Sequence, residues 1–233
     1  MNKTSRNGML ALLVILLILF ADQWIKIYVK THFYLHESVH INGWEWANLY
    51  FIENQGMAFG MDMLGGTVLL CLFRILAVGV LSWLLVQVIR RGLPLGFIVC
   101  VCLVLAGAAG NIFDNVLYGA CFSESTDWHL AQSVPIGQGY GTWFTGKVVD
   151  MFYFPLIDTH WPDFLPVIGG DHFIFFSPIF NFADAAITCG ALSMVLFYRQ
   201  LLQEALNLFQ QRHDNEDDSL TGHPDMQADD DNT

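Results

Sequence analysis

Residues 95–118 read LGFIVCVCLVLAGAAGNIFDNVLY, a long apolar run with polar side chains near its end. Crossing a bilayer takes about 20 consecutive apolar helical residues, so this stretch predicts a transmembrane helix. Three other runs reach a similar length. The four predicted spans are residues 8–29, 67–89, 95–118 and 178–198. Together they predict a mainly α membrane protein, built as a bundle of four transmembrane helices.

The composition of the chain supports a membrane protein. Of its 233 residues, 54% are hydrophobic and 14% are charged, whereas soluble domains carry about 25% charged residues. A soluble core of this size cannot bury so much apolar surface, which excludes a soluble globular domain and disorder over most of the length. The five cysteines form no C-x-x-C pair, which favours buried thiols over a disulfide framework or a zinc site.

The distribution of basic residues predicts the orientation. The outer connections, residues 31–66 and 119–177, contain a single lysine, Lys147, and no arginine. The other ends of the spans carry Lys3, Arg6, Arg90, Arg91, Arg199 and Arg212. Since cytoplasmic segments are enriched in Lys and Arg, both termini are predicted to face the cytoplasm. The first span is predicted to be an uncleaved anchor, because residues 20–23 make a poor cleavage site.

The last 30 residues differ from the rest of the chain. Residues 204–233 hold nine acidic side chains and one basic side chain. This pattern predicts a disordered acidic tail that follows a membrane domain of residues 1–203.

Nothing in the sequence indicates a nucleic-acid partner.

The outer connections are predicted to be structured. The alternating side chains Trp46, Asn48, Tyr50 and Ile52 predict a short strand in residues 48–53, and therefore a small outer-facing region of strands and loops. His32, His36 and His40 are spaced four residues apart, which favours an amphipathic interfacial helix over a metal site. Ser177 and Pro178 form a typical helix start, so the fourth helix is predicted to begin there.

Ionisable side chains occur at a similar depth in all four spans. They are Asp22, Arg74, Asp114 and Asp184. At about 1.5 Å per residue, each lies about 6–10 Å from the outer end of its span. Charges inside spans are costly and therefore mark candidate functional sites, although neutralised structural pairs explain some of them equally well.

The polar layer contains further pairs on single helix faces. Asn111 lies three residues before Asp114, Asn181 three before Asp184, and Asp22 four before Lys26. The small residues 106–110 permit close approach of a neighbouring helix, and Asp150 lies where the outer connection can return to this layer.

Two neighbouring carboxylates in a medium of low dielectric share one proton, and such a pair can activate water. The residues alone leave two classes of protein open: an aspartyl hydrolase, and a component of an ion-coupled transporter. The aliphatic inner halves of the first, third and fourth spans argue against a continuous transport path.

Five motifs occur in the order found in one known family. They are Asp22-Gln23-x-x-Lys26, Asn54-x-Gly56-x-Ala58-Phe59, Gly107-Ala108-Ala109-Gly110-Asn111-x-x-Asp114, Val148-Val149-Asp150 and Phe180-Asn181-x-Ala183-Asp184. In these motifs the chain resembles lipoprotein signal peptidase, also called signal peptidase II.

The resemblance implies an aspartyl endopeptidase of the bacterial inner membrane. Such an enzyme removes the signal peptide from diacylglyceryl-modified prolipoproteins just before the lipidated cysteine, and is the target of the cyclic peptide globomycin. By motif match, the catalytic pair is Asp150 and Asp184. The positions implied to shape the site or bind substrate are Asp22, Lys26, Asn54, Gly56, Asn111, Asp114 and Asn181. The resemblance implies no metal and no cofactor, contact with membrane lipid, and a monomer.

The chain departs from the family pattern in two places. Asn115 stands where the family usually has arginine, so Arg74 or Lys147 is a candidate to supply the missing cation, and a catalytically inactive lipoprotein-binding relative is an open alternative. The outer connection 119–177 is longer than usual, and its aromatic content predicts an enlarged interfacial flap.

Overall fold

The computed structural model describes residues 2–54, 66–164, 166–205 and 207. Its four main helices are α1 (Lys3–His32), α2 (Gly66–Arg90), α3 (Leu95–Phe113) and α4 (Phe182–Phe197). Helix α3 continues into a π-helical turn, Asp114–Tyr118, and a final helical turn, Gly119–Cys121. The strands are β1 (Ser38–His40), β2 (Asn48–Asn54), β3 (Val148–Tyr153), β4 (Ile157–His160), β5 (His172–Phe175) and β6 (Ile179–Phe180).

Helices α1, α2 and α3 are long and apolar enough to cross a membrane. Helix α4 has 16 residues. It reaches the length of a membrane span only together with the short helix Arg199–Ala205, and the two helices are bent by 104° relative to each other. The large apolar side chains on the outside of α1 include Phe20, 71% exposed, and Trp24, 64% exposed. Such a surface suits lipid rather than water. The fold is therefore that of a mainly helical membrane protein with three or four candidate spans and a small β region.

The predicted start of the fourth helix at Ser177 and Pro178 is wrong. Ile179 and Phe180 form β6 and pair with β3, so the chain is still extended there. The helix begins after Asn181, whose side chain accepts a hydrogen bond from the backbone N–H of Asp184. The Asp184 carboxylate in turn accepts a hydrogen bond from the backbone N–H of Asn181, which completes a capping box.

Helix α3 lies at the centre of the helices and packs against α1, α2 and α4. Glycines make the α3–α4 contact possible. A Cβ atom on Gly107 would lie 2.3 Å from the carbonyl oxygen of Ala183, and one on Gly190 would lie 2.7 Å from that of Cys100. The two helices therefore meet backbone to backbone, as the small residues 106–110 predict.

The strands form a four-stranded antiparallel sheet in the order β1-β2-β3-β6 and a separate β4-β5 hairpin. The predicted strand near residues 48–53 is confirmed as β2. The pairing of β2 with β3 shifts by one residue between Leu49 and Ile52, which is a β-bulge. Phe51 and Met151 are fully buried in a small core between the sheet and the C-terminal ends of α1 and α3.

The predicted interfacial helix through His32, His36 and His40 is wrong. Helix α1 ends at His32, and His40 belongs to β1. His36 has a φ of 63°, a left-handed conformation that does not continue a helix. Its backbone N–H donates to the carbonyl of Phe51, so pairing with β2 fixes this segment as sheet.

Candidate active site

Asp150 and Asp184 approach the same asparagine from two different elements. Asp150 lies in the middle of β3 and is buried, whereas Asp184 lies in the first turn of α4 and is half-buried. The Nδ2 of Asn181 donates to Asp150 Oδ1 over 2.7 Å. The same residue accepts from the Asp184 backbone N–H at 2.9 Å and donates its own backbone N–H to Asp184 Oδ2 at 3.3 Å. One cap residue therefore orients both carboxylates.

The protonation of Asp150 reflects its neighbours. Burial, and after it the negative charge of Asp184, raise the pKa of Asp150, which is about 6. Hydrogen bonds from the amides of Asn181 and Asn54 and the positive charge of Lys26 oppose this rise. The two carboxylates thus interact electrostatically, and Asp150 holds a proton more readily than an ordinary aspartate.

Asn111 connects the carboxylates to the nearby cation. Its Nδ2 donates to Asp184 Oδ1 at 2.9 Å. Its Oδ1 accepts from Lys26 Nζ at 2.8 Å and from Asn181 Nδ2 at 3.2 Å. Because its two acceptor positions are filled by donors, the Asn111 amide has a fixed orientation and must present its N–H groups to Asp184.

Three buried charged side chains support the site, namely Asp22, Lys26 and Asp114. Lys26 Nζ lies 3.0 Å from Asp22 Oδ2 and 2.8 Å from Asp114 Oδ2, and all three side chains are almost completely buried. Asp22 Oδ1 also accepts from the backbone N–H of Ala183 at 2.9 Å, at the start of α4. Asp114 Oδ2 accepts from the backbone N–H of Val149 at 3.3 Å, next to Asp150. These charges therefore join α1 and α3 to the two elements that carry the candidate catalytic pair.

Gln23 belongs to the same network, although the sequence suggested no role for it. Its Nε2 donates to Asp114 Oδ1 at 2.9 Å and to the Gly110 carbonyl at 3.2 Å. Its Oε1 accepts from the Tyr118 hydroxyl at 3.0 Å. The only local signal was its position directly after Asp22 in a polar motif within an apolar helix.

The remaining predicted positions divide into three cases. Asn54 Nδ2 lies 3.3 Å from Asp150 Oδ2, so the structure places Asn54 at the site. Gly56 lies outside the described residues. Asn115, which replaces the family arginine, is fully buried and accepts from Arg74 Nη1 at 2.5 Å, while Lys147 Nζ lies 3.4 Å from Glu53 Oε2. Of the two candidate cations, Arg74 is therefore the one in contact with Asn115.

The described residues contain no group of three or more His, Cys, Asp or Glu side chains arranged to hold a metal ion. What the site does offer is two adjacent carboxylates of different burial, oriented by amides. Such an arrangement can hold one proton between two carboxylates and polarise a water molecule.

Comparison with known proteins agrees with this chemistry. The family described as "Signal peptidase (SPase) II" matches residues 14–200. The "Lipoprotein signal peptidase" of Porphyromonas gingivalis is 46% identical over 193 residues, covering 82% of this chain and 84% of that protein. The "Lipoprotein signal peptidase" of Amoebophilus asiaticus is 30% identical over 207 residues, covering 84% and 80%.

Solved structures support the fold. Two structures of bacterial membrane enzymes, obtained by the in meso method at 2.3 and 1.9 Å resolution, are each 22% identical to this chain. They superpose with TM-scores of 0.53 and 0.54, covering 84% and 80% of this chain and 90% of each solved chain. With the family match over most of its length, the chain belongs to the signal peptidase II family.

Proposed function

We propose that this membrane enzyme cleaves the signal peptide from prolipoproteins that already carry a diacylglyceryl group, with Asp150 and Asp184 as its catalytic pair. Family membership makes it an aspartic-type endopeptidase that processes lipoproteins. The observation that carries the residue assignment is the single asparagine, Asn181, hydrogen-bonded to both carboxyl groups.

The two carboxyl groups have different environments and therefore different roles. Asp184 occupies the third position of α4, where the N-terminus of a helix stabilises negative charge, and it is open enough to meet water. Asp150 is buried and its pKa is raised to about 6. We assign the ionised base to Asp184 and the shared proton to Asp150.

Hydrolysis then follows from one proton shared by the pair. Asp184 takes a proton from water as the water oxygen attacks the scissile carbonyl carbon, and Asp150 gives its proton to the carbonyl oxygen. The tetrahedral intermediate collapses as Asp184 passes the proton that it took from water to the amide nitrogen, the C–N bond breaks, and a hydroxyl of the intermediate returns its proton to Asp150. The products are a signal peptide with a free carboxylate and a lipidated cysteine with a free amino group.

The remaining matched positions would hold this pair in place. Asn54 and Asn111 each donate to one of the two carboxylates. The charges of Asp22, Lys26 and Asp114 fix the elements on which the pair is carried. This arrangement supplies orientation before the substrate arrives, which is the condition for fast chemistry in an enclosed site.

The depth of the site suits a lipidated substrate. A signal peptide crosses the membrane as a helix, and its diacylglyceryl-cysteine lies near the outer interface. The predicted orientation, with both termini in the cytoplasm of a bacterial inner membrane, puts the pair at this level. Lys3 Nζ donates to the Gly92 carbonyl at 3.3 Å, which supports placing the start of α1 and the α2–α3 turn at one membrane face. In this proposal α4 forms the helical part of the fourth span of the bundle, with Arg199 at its cytoplasmic end, and the acidic residues 204–233 follow as a cytoplasmic tail.

The test is cleavage by the purified, detergent-solubilised protein of one precursor, supplied with and without its diacylglyceryl group. We expect cleavage of the lipidated form alone, unaffected by a metal chelator and blocked by globomycin. Binding of lipidated precursor without cleavage would instead indicate an inactive relative. Ion or solute flux in vesicles without cleavage would indicate a transporter component.

A further inference from the structure

A second group of buried charges lies beside the site and has no part in the chemistry described above. We call it the Glu53 cluster, after its central carboxylate. Its members are Lys30, Glu53, Ser125, Tyr140 and Lys147. They come from α1, from β2, from the connection between α3 and β3, and from the residue before β3.

Every cation of the cluster is directed at Glu53. Its Oε1 accepts from Lys30 Nζ and, at 2.8 Å, from the Ser125 hydroxyl. Its Oε2 lies 3.4 Å from Lys147 Nζ. The ring of Tyr140 lies beneath both ammonium groups, 5.0 Å from Lys30 Nζ and 5.2 Å from Lys147 Nζ. The Glu53 carboxylate is therefore restrained by one residue of α1 and by two residues, Ser125 and Lys147, of the connection that precedes β3.

These charges are held away from water. The Lys30 side chain is fully buried and that of Glu53 is 3% exposed. Removing two opposite charges from water generally costs about as much as their attraction returns, so a buried pair is weak evidence for stability. Such pairs are best known for fixing a register or an arrangement of elements.

Glu53 occupies the position in β2 where register matters for the site. It pairs with Val149, while Ile52 pairs with Asp150. Successive side chains of a strand point to opposite faces, so Asn54 lies on the face of Asp150 and Glu53 on the other. A slip of one residue would turn Asn54 away from Asp150. The bulge between Leu49 and Ile52 shows that β2 already pairs in two registers along its length.

We infer that Glu53 is a positioning residue for Asp150: its clamped carboxylate holds β2 in the register that places the Asn54 amide against Asp150. The inference rests on the proposed catalytic role of Asp150. Glu53 does not touch the reacting atoms. It acts through Asn54, whose Nδ2 lies 3.3 Å from Asp150 Oδ2.

The inference predicts the direction in which the pKa of Asp150 changes when Glu53 is replaced. Loss of the Glu53 charge alone would change that pKa in the opposite direction. The charged groups facing Asp150 are Asp184 from α4, Lys26 from α1 and, through the Val149 amide, Asp114 from α3. The Asn54 hydrogen bond lowers the pKa of Asp150, so loosening β2 raises that pKa. Removing the negative charge of Glu53 with no change in geometry would instead lower it.

The experiment compares Glu53→Gln with the wild type in the full-length protein. The double variant Lys30→Met/Glu53→Gln leaves no unpaired charge between these two positions, and guards against misfolding of the single variant. Glu124→Gln is the matched control, because Glu124 is an exposed glutamate 3.8 Å from Lys147. Each variant is also made in an Asn54→Ala background.

Two readouts are measured: kcat and KM on lipidated precursor, and titration of the Asp150 carboxyl by NMR of 13C-labelled aspartate. We expect kcat to fall about tenfold in both Glu53 variants, with KM within about twofold of wild type. The pKa of Asp150 should rise in both. In the Asn54→Ala background, Glu53→Gln should have no further effect, and the control should behave as wild type throughout.

A lowered or unchanged pKa of Asp150 in the two Glu53 variants would overturn the inference. So would an equal loss of kcat with and without Asn54. If the wild type itself fails to cleave, the proposed function fails, but the titration still decides whether Glu53 positions Asp150.

Discussion

Replacing Lys26 by methionine removes the only cation in contact with Asp22 and Asp114 among the described residues. Its Nζ lies 3.0 Å from one carboxylate and 2.8 Å from the other, and also donates to Asn111 at 2.8 Å. Methionine has a similar length and fills similar space, so the change is mainly electrostatic. Two carboxylates would then face each other in the interior with no positive charge between them.

The expected loss of stability is large. Removing one partner of a buried ion pair costs about 3–5 kcal/mol, because the other charge stays buried and unpaired. For a chain of this size, about 1 kcal/mol changes the unfolding midpoint by about 2–4 °C. We therefore expect Lys26→Met to lower the midpoint by about 6–20 °C.

The assay is thermal unfolding in one detergent at one scan rate, since membrane proteins often unfold irreversibly. The informative comparison is Lys26→Met/Asp114→Asn, which restores the net charge of the group to its original value. This double variant should be more stable than Lys26→Met, even though Asp114→Asn alone is destabilising. Lys3→Met, at an exposed position, is the control. A midpoint for Lys26→Met within about 2 °C of the control, below the range above, would refute the reasoning.

Three further predictions concern packing, the cap of α4 and the effect of pH. Gly110→Ala would put a Cβ atom 2.5 Å from Asp22 Oδ2 and should lower stability by about 1–3 kcal/mol, whereas Gly79→Ala, with nothing within 4 Å, should be neutral or stabilising in the same unfolding assay. Asn181→Ser keeps a helix cap but loses the buried amide that donates to Asp150 and Asn111, so the unfolding midpoint should fall by about 2–12 °C and kcat should fall about ten- to a hundredfold. Because the pair acts with one shared proton, kcat/KM should fall as pH rises above the pKa of Asp150, about 6. Bound substrate buries Asp150 more deeply and raises its pKa further. The decrease of kcat should therefore occur at higher pH than the decrease of kcat/KM.

Much of the fold follows from local sequence. The three longest apolar runs are helices α1 to α3, because run length alone specifies a membrane helix. The small residues 106–110 predict the close α3–α4 contact because only glycine permits it at Gly107. Polar side chains within apolar spans indicated Asp22, Asp114 and Asp184, because each charge there needs a partner. The roles of Asp150 and Asn54, which lie outside the spans, came from the family resemblance.

The failures have a common physical cause, which is strand pairing between distant segments. Ser177 and Pro178 are as good a helix start as Asn181 by local preference, but β6 pairs with β3 and delays the helix. The spacing of the histidines suits a helix, yet pairing of β1 with β2 makes His40 part of a strand. No local signal distinguishes these outcomes.

The ion pairs between distant segments could not be predicted from the sequence either. Lys30 and Glu53 are 23 residues apart in sequence, and Ser125 is a further 72 residues beyond Glu53. In the sequence, each looks like an ordinary polar residue of a connection or of a helix end. Only the folded arrangement shows that they meet beside the strand that carries Asn54.

The most direct test of the catalytic pair is cleavage of lipidated precursor by Asp150→Asn and Asp184→Asn, each compared with Asp127→Asn, a half-exposed aspartate paired with His36. Asparagine keeps the size of the side chain but can neither accept the water proton nor return it. We predict that both variants remain inserted and folded and lose about 100- to 10,000-fold in kcat, while the control keeps wild-type activity. Near-wild-type cleavage by either Asp150→Asn or Asp184→Asn would contradict the account.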